Sequence, residues 1–326
     1  MSAALDVQAQ FKKDNETMNL MRPGLAFTIF IGIGAGFGYC DEEKPHAVFV
    51  VGTPHYSPAR SMPLLASHLE RIGFRTTVVK SAANPENDPA GIPGLEVLET
   101  ADVAIFFLRF LTLPDDQLKL IERYLESGKP LVGFRTSSHA FAYPKNSEHF
   151  GWNDGFGLNA MGVKYETHLT GKTSVSLNDA GKKHPVLTGI NFNKPRMASG
   201  TLYLASPPPS VTVLLDGTGN SKKTGMVRNA FGVHQLTETM KEPVAWVFEN
   251  KWGGKVFGTT LGHWETFNDA RFVRLFVNGI CWSVGREIPT RDEFKIVGLI
   301  SYEQESKKQA KAKSGSHQDA KNTKTN

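Results

Sequence analysis

Between residues 46 and 135 the chain switches repeatedly between two hydrophobic patterns. His46–Gly52 (HAVFVVG) is an unbroken apolar run closed by glycine, the pattern of a strand buried on both faces. After the loop Thr53–Arg60, the apolar positions Met62, Leu65, Leu69 and Ile72 fall at helical spacing, and Gly73 ends that helix. Thr76–Val79 predicts a second, β-branched strand and Asp102–Leu108 (DVAIFFL) a third. Thr112-Leu-Pro-Asp-Asp predicts a helix start. Thr112 is the expected cap, Pro114 suits the first turn, and Asp115 and Asp116 favour the positive end of the helix dipole. Leu118, Ile121 and Leu125 form its apolar stripe, Gly128 stops it, and Lys129–Phe134 (KPLVGF) is the fourth strand. This β-α-β-α-β order predicts an α/β fold with a doubly wound, mainly parallel sheet. Sites in such sheets form beyond the carboxyl ends of strands. Here those ends are the loop at His55, the segment at Arg109 and the turn at Arg135.

Residues 142–240 are looser and rich in Gly, Asn, Pro and Ser, with strand-like pieces at Lys164–His168, Ser174–Leu177 and Val211–Leu215. Regular patterning returns at Val244–Phe248, at Lys255–Leu261 and in a helix over Asp269–Val284. The middle therefore reads as loop-rich insertions elaborating one domain, residues 41–300.

The two ends differ in kind. Leu25–Tyr39 (LAFTIFIGIGAGFGY) carries no charge, follows Arg22 and runs into small residues. At about 1.5 Å per residue it is short for a ~30 Å hydrocarbon core and fits a secretory signal over residues 1–40. The preceding polar stretch is long for a signal, which makes Met18 or Met21 the expected start. Cys40 directly follows, where acylation would tether the protein to a membrane. Cys281, in FVNGICW, reads as a small buried apolar side chain. Two cysteines exclude a disulfide framework and a thiolate metal cage. The lysine-rich tail, 301–326, is expected to be disordered and solvated. It carries +3 of the net +5, which leaves a near-neutral body without the basic face that nucleic-acid binding needs. The sequence leaves the oligomeric state open, homo-oligomer included.

Two polar clusters carry the candidate chemistry. Arg135-Thr-Ser-Ser-His139 follows a buried strand at a strand-to-helix turn, a place for an anion or oxyanion site. Gly262-His-Trp-Glu265 follows a late strand, where a carboxylate two residues from an imidazole can orient it.

The spacing of LVGFRTSSHAF and LGHWE resembles the class I glutamine amidotransferase fold, a flavodoxin-like arrangement. More closely, FFLRFLTLPDDQLKLIERYLESGKPLVGFRTSSHAF, KKHPVLTGI, EPVAWVFE, GKVFGTTLGHWETF and RLFVNGICWSVG resemble the ThuA-like, trehalose-utilisation family. The resemblance covers roughly residues 46–286, and exported members of that family resemble this layout, signal included. It implies a carbohydrate substrate, trehalose or a related glycoside, in an exported, periplasmic or cell-envelope protein. Two departures matter. The amidotransferase nucleophile position holds Arg135, which cannot attack an acyl carbon, so glutamine hydrolysis is not expected. The first loop, GTPHYSPAR, carries no carboxylate.

The expected site therefore has His263 as general base, Glu265 as its orienter, and Arg135 as oxyanion stabiliser, with His139 completing the catalytic set. Arg109, His55, Tyr56, Ser137, Ser138, His168 and Trp264 would contact substrate, with Trp264 offering a face to a sugar ring. His55, His139, His168 and His263 could instead gather as ligands for zinc, iron or copper, although no H-E-x-x-H spacing accompanies them. The reaction would be proton transfer next to a carbonyl in a keto-glycoside, an isomerisation or elimination. A non-catalytic sugar- or protein-binding module on the same fold is the rival. The sequence also allows plainer roles: Arg135 clamping Glu166 or Asp154, Arg109 pairing with Asp115, and His184 closing a turn before Pro185.

Overall fold

In a computed structural model, residues 43–81 and 91–322 are described, and the expected signal and Cys40 lie outside them. The strands are β1 (His46–Gly52), β2 (Arg75–Lys80), β3 (Val103–Leu108), β4 (Leu131–Phe134), β5 (Thr167–His168), β6 (Thr173–Leu177), β7 (Arg196–Ala198), β8 (Tyr203–Leu204), β9 (Thr212–Asn220), β10 (Gly225–Asn229), β11 (Gly232–Leu236), β12 (Thr239–Glu249) and β13 (Lys255–Thr259). The helices are α1 (Pro58–Arg71), α2 (Asp115–Glu126), the short α3 (Trp152–Gly155), α4 (Ala270–Ser283) and α5 (Leu299–Asn322).

Nine strands form one sheet in the order β2-β1-β3-β4-β13-β12-β9-β6-β7. From β2 to β13 every pairing is parallel. Beyond β13 the pairings are antiparallel. The middle of the chain thus widens the same sheet through β6, β7 and β9 rather than forming a separate body. The strand order reverses at β1, between β2 and β3, which is the switch point where such sheets open a crevice.

The pleat sorts the apolar run of each parallel strand onto two faces. Val103, Ile105 and Phe107 of β3 join Phe49, Val132, Phe134 and Phe257 against α1 and α4. Ala104, Phe106 and Leu108 join Val48, Val50, Leu131 and Trp246 against α2 and the π-turn at Phe156–Met161. Burial on both faces is why these strands read as continuous apolar stretches.

Two local expectations change. The helix α2 begins at Asp115 with Pro114 as its cap, and the Thr112 hydroxyl donates to Ala142 O instead. The chain from Ser301 to Asn322, expected to be disordered, continues as α5. Ala, Gln, Glu and Lys are good helix formers, Leu299 is fully buried, and Glu303 takes a two-pronged ion pair from Arg60 at 2.7 and 2.9 Å. Among the described residues no helix is long and apolar enough to cross a membrane.

Candidate functional site

Four non-glycine residues among those described have left-handed backbones: Tyr56 (φ 66°), Ser57 (φ 54°), Phe110 (φ 47°) and Arg135 (φ 41°). All four follow the carboxyl ends of β1, β3 and β4, three adjacent strands. Such conformations cost of order 1–3 kcal/mol each and persist where surrounding structure imposes them, commonly at functional sites.

Arg135 stands at the centre. It follows β4 at the elbow position, in a single 3-10 turn, Arg135–His139, every residue of which is buried. The residue is only 1% exposed, and its guanidinium lies between two rings, 4.1 Å from the centre of Tyr56 and 4.4 Å from that of Tyr203. Nη1 donates to Thr260 O at 2.8 Å, both Nη atoms reach Thr201 O at 3.3 Å, and Nη2 reaches Thr201 Oγ1 at 3.3 Å. Only Nε is left without a hydrogen-bond partner. Gly200 (φ +95°) permits this approach, because a Cβ there would sit 3.1 Å from Arg135 Cζ.

This corrects two expectations. The elbow does not open an α-helix and offers no exposed anion site. Arg135 does not present its fork to a substrate either: backbone carbonyls occupy the Nη donors, so its charge acts through Tyr56 and Tyr203. Nor does it clamp Glu166 or Asp154, which face His234 at 3.5 Å and Lys164 at 2.6 Å.

Around this centre the predicted residues divide. Tyr56 lies edge-on to His263, ring centres 5.7 Å apart, and its hydroxyl is 3.4 Å from that of Tyr203. His55 adjoins Tyr56 at 6.4 Å between rings. His168 Nδ1 is 2.6 Å from the Tyr165 hydroxyl. Arg109 lies over the Phe110 ring at 4.4 Å, and Asp115, its expected partner, pairs with His149 instead.

His139 is packed against Tyr165 (4.3 Å) and Phe110 (4.8 Å) and is 5% exposed. Ser137 and Ser138, expected to contact substrate, are buried with their hydroxyls bonded inside the protein. Ser137 Oγ accepts from Leu108 N and donates to Phe106 O, tying β3 to β4. Ser138 Oγ donates to Arg135 O and touches His139 Nδ1. Trp264 stacks on His263, while Arg60 covers a face of its ring at 4.5 Å, so the sugar platform is compromised.

The His263–Glu265 couple also differs from expectation. Glu265 N donates to His263 Nδ1 at 3.3 Å, while the Glu265 carboxylate stays 3.8 Å away. A nitrogen that accepts a backbone N–H carries no proton when the ring is neutral, so the proton belongs on Nε2. His263 caps the 3-10 turn Trp264–Asn268 through Nδ1, which leaves Nε2–H as the ring's donor.

The electrostatics follow from burial among two guanidinium groups. Burial would raise the Tyr56 phenol, but the Arg135 charge, the Tyr203 hydroxyl and the Arg109 charge together hold it below its ordinary value. Its neighbour Tyr203 is pushed up by burial, and Tyr165 by burial to about 12. Burial, then the Arg109 and Arg135 charges, drive His139 down to about 3. His168 is lowered by burial and Arg135. His263 is lowered chiefly by burial, against the opposing pull of Glu265. His139, His168 and His263 are therefore neutral at neutral pH, and His139 is too weak a base for proton transfer.

The four histidines do not assemble as metal ligands. Among the described residues, the one trio of ligating atoms within 4.8 Å is Asp115, Glu148 and His149, on the surface at the start of α2. Cys281 is buried as expected, its thiol pushed up to about 12 by burial. His184 Nδ1 accepts from Val186 N, closing the turn at Pro185.

Sequence reasoning missed Tyr165, Tyr203, Phe110 and Phe231. Phe231, from the turn between β10 and β11, packs 4.9 Å from Tyr165 and 6.1 Å from Phe110. The local signal for Phe110 was its place directly after Arg109 at a strand end. Tyr203 and Phe231 had none, because distant segments deliver them.

Comparison with known proteins agrees with this architecture. A ThuA-like protein from Bacteroides uniformis ATCC 8492 superposes with a TM-score of 0.50 at 17% identity, covering 78% of this chain and 97% of that one. One from Parabacteroides merdae ATCC 43184 gives 0.52 at 14% identity, with the same coverage. No curated protein matches the sequence. The family model for ThuA, trehalose utilisation, matches residues 47–283, most of the described chain, and the class I glutamine amidotransferase-like fold accords with it: the chain belongs to the ThuA family.

Proposed function

We propose that this protein is an exported enzyme of carbohydrate utilisation that moves a proton next to the carbonyl of an oxidised (keto) form of trehalose or a related glycoside. Tyr56, as phenolate, takes the proton from the carbon beside the carbonyl. The electron pair left behind moves onto the carbonyl oxygen, which His263 Nε2–H holds by a hydrogen bond. For an isomer, the enolate oxygen takes up a proton, the hydroxyl on the deprotonated carbon gives up its own and becomes the new carbonyl, and the proton on Tyr56 returns to the former carbonyl carbon. For an elimination, the electron pair instead expels a group from the next carbon. Glu265 fixes the His263 tautomer through its backbone N–H rather than its carboxylate. Arg135 is a positioning residue that lowers the phenol's proton affinity. His55, His168 and Arg109 would border the substrate.

The observation that carries this reading is the placement of Tyr56 between the Arg135 guanidinium, at 4.1 Å, and the His263 ring, at 5.7 Å. A phenol held below its ordinary pKa beside a neutral imidazole donor is a pairing that suits enolisation. The test is solvent deuterium uptake into keto-disaccharides by the wild type, Tyr56→Phe and His263→Ala. Uptake that both variants abolish supports the proposal, and uptake no greater in the wild type than in Tyr56→Phe removes it.

The wall of Phe110, Tyr165 and Phe231 would equally serve a binding module, the second reading. Saturable binding of a keto-disaccharide without any exchange would select it.

A further inference from the structure

Away from the strand ends, a cavity of about 220 Å³ is lined by Gly189, Ala270, Arg271, Arg274, Arg291, Lys295 and Ile296. That is below the roughly 300–1,000 Å³ of sites for drug-sized ligands, so its occupant is small. Four of the lining side chains are cationic. Asp269 answers one of them: its carboxylate takes Arg271 Nε at 2.8 Å and Nη2 at 2.6 Å.

The other three have no carboxylate partner among the described residues. Arg274 is 6% exposed, and its Nη atoms donate to the backbone oxygens of Pro289 and Phe294. Arg291 Nε donates to Gly189 O at 2.5 Å. Gly189 brings the two arginines side by side, since a Cβ there would lie 3.3 Å from Arg291 Cγ and 3.6 Å from Arg274 Cδ. Burial, reinforced by the Arg291 charge, lowers Arg274 below its ordinary value. Like charges gathered around a cavity are unfavourable until an anion joins them.

We propose that this cavity binds a small phosphate-type oxyanion, inorganic phosphate or a phosphate monoester, held by Arg291 and Lys295, with the buried charge of Arg274 beside them. A surplus of three cations matches a doubly charged tetrahedral anion better than a single carboxylate, and guanidinium forks suit phosphate oxygens. The site is separate from the Tyr56–His263 pair and does not depend on the activity proposed above.

The test is thermal denaturation of the full chain with increasing inorganic phosphate, against sodium chloride and sodium acetate at equal ionic strength. Phosphorus NMR line broadening gives a second readout, and glycerol phosphate serves as a monoester probe. A saturable phosphate-specific rise in melting temperature is expected. The double variant Arg291→Gln/Lys295→Gln removes only exposed side chains. It should melt like the wild type without phosphate and bind phosphate at least about tenfold more weakly. No saturable shift beyond that of chloride would overturn the proposal. So would undiminished phosphate affinity in the double variant, or acetate binding as tightly as phosphate.

Discussion

Replacing Arg135 with methionine separates the two things its guanidinium does, hold the loops together and charge the tyrosines. Exchanging a buried charge together with its partners for apolar groups is often neutral, because desolvation offsets the attraction. Here the partners are backbone carbonyls, which stay behind. Thr260 O loses a 2.8 Å charge-assisted bond and Thr201 O its longer contacts, in a place water does not reach. An orphaned buried acceptor costs about 1–3 kcal/mol, and two desolvated cation–π contacts, at 4.1 and 4.4 Å, add about 1–2 kcal/mol each. Methionine recovers part of the packing and avoids burying a charge, so a net loss of about 3–5 kcal/mol is expected. That corresponds to a fall in Tm on the order of 10 °C for a domain of this size. Both side chains carry a Cβ, so the left-handed backbone contributes nothing to the difference. Removal of the charge should also move the Tyr56 phenol upward, read as the tyrosinate absorbance lost in Tyr56→Phe. Arg135→Lys keeps the charge but not the fork; it should retain part of the Tyr56 shift and lose most of the stability. A stability loss below about 1 kcal/mol with an unmoved Tyr56 titration would refute this account of the site.

Two further outcomes rest on the same geometry and a third on the sequence. Because His139 titrates near 3 in the folded chain and near 6.5 when unfolded, the unfolded state binds the extra proton as pH falls. Its stabilising share is full above about pH 6.5 and shrinks below, by about 2–3 kcal/mol at pH 4.5; urea unfolding at both pH values should show a smaller difference for His139→Gln. Ser137→Ala leaves Leu108 N–H and Phe106 O without their bridge, so it should cost about 1–3 kcal/mol in urea unfolding while leaving substrate affinity unchanged. Mass spectrometry of the protein recovered from an exporting host should find a mature start at Cys40, with acyl mass, or just after it, whereas an uncleaved N-terminus at Met1, Met18 or Met21 would end the export proposal.

The parallel half of the sheet was legible because its strands are buried on both faces. β1 occupies the residues its apolar run marks, His46–Gly52, and β13 and α4 fall within a residue or two of their patterns. The antiparallel wing was legible only in part. Residues at β7 and in the β10–β11 hairpin, Gly225–Asn229 and Gly232–Leu236, are mostly half-exposed or exposed, with few buried positions. Short strands with so little apolar patterning resemble loops. The site shows the sharper limit. RTSSH is polar by composition, and nothing within it says that all five residues are buried. Their burial comes from Thr201, Tyr203 and Thr260, which arrive from β8 and the end of β13. Position at a strand end was readable, and solvent access was not.

The left-handed residues permit one more inference. Glycine adopts this conformation freely, so a chain optimised for stability alone would carry glycine at positions 56, 57, 110 and 135. The side chains retained there should therefore be wanted for contact, except where they make none. Ser57 is that exception, since its hydroxyl makes no capping hydrogen bond to α1. Ser57→Gly should relieve about 1–2 kcal/mol of strain against about 0.5–1 kcal/mol of added chain entropy in the unfolded state. The expected outcome is a stability gain of up to about 1 kcal/mol in urea unfolding, with deuterium uptake intact. Tyr56→Gly has the same backbone relief available, yet it removes the ring that separates Arg135 from His263 and so should abolish uptake whatever its stability. A clear loss of stability in Ser57→Gly would mean that the backbone at the end of β1 is not strained, and strain would then no longer mark the site.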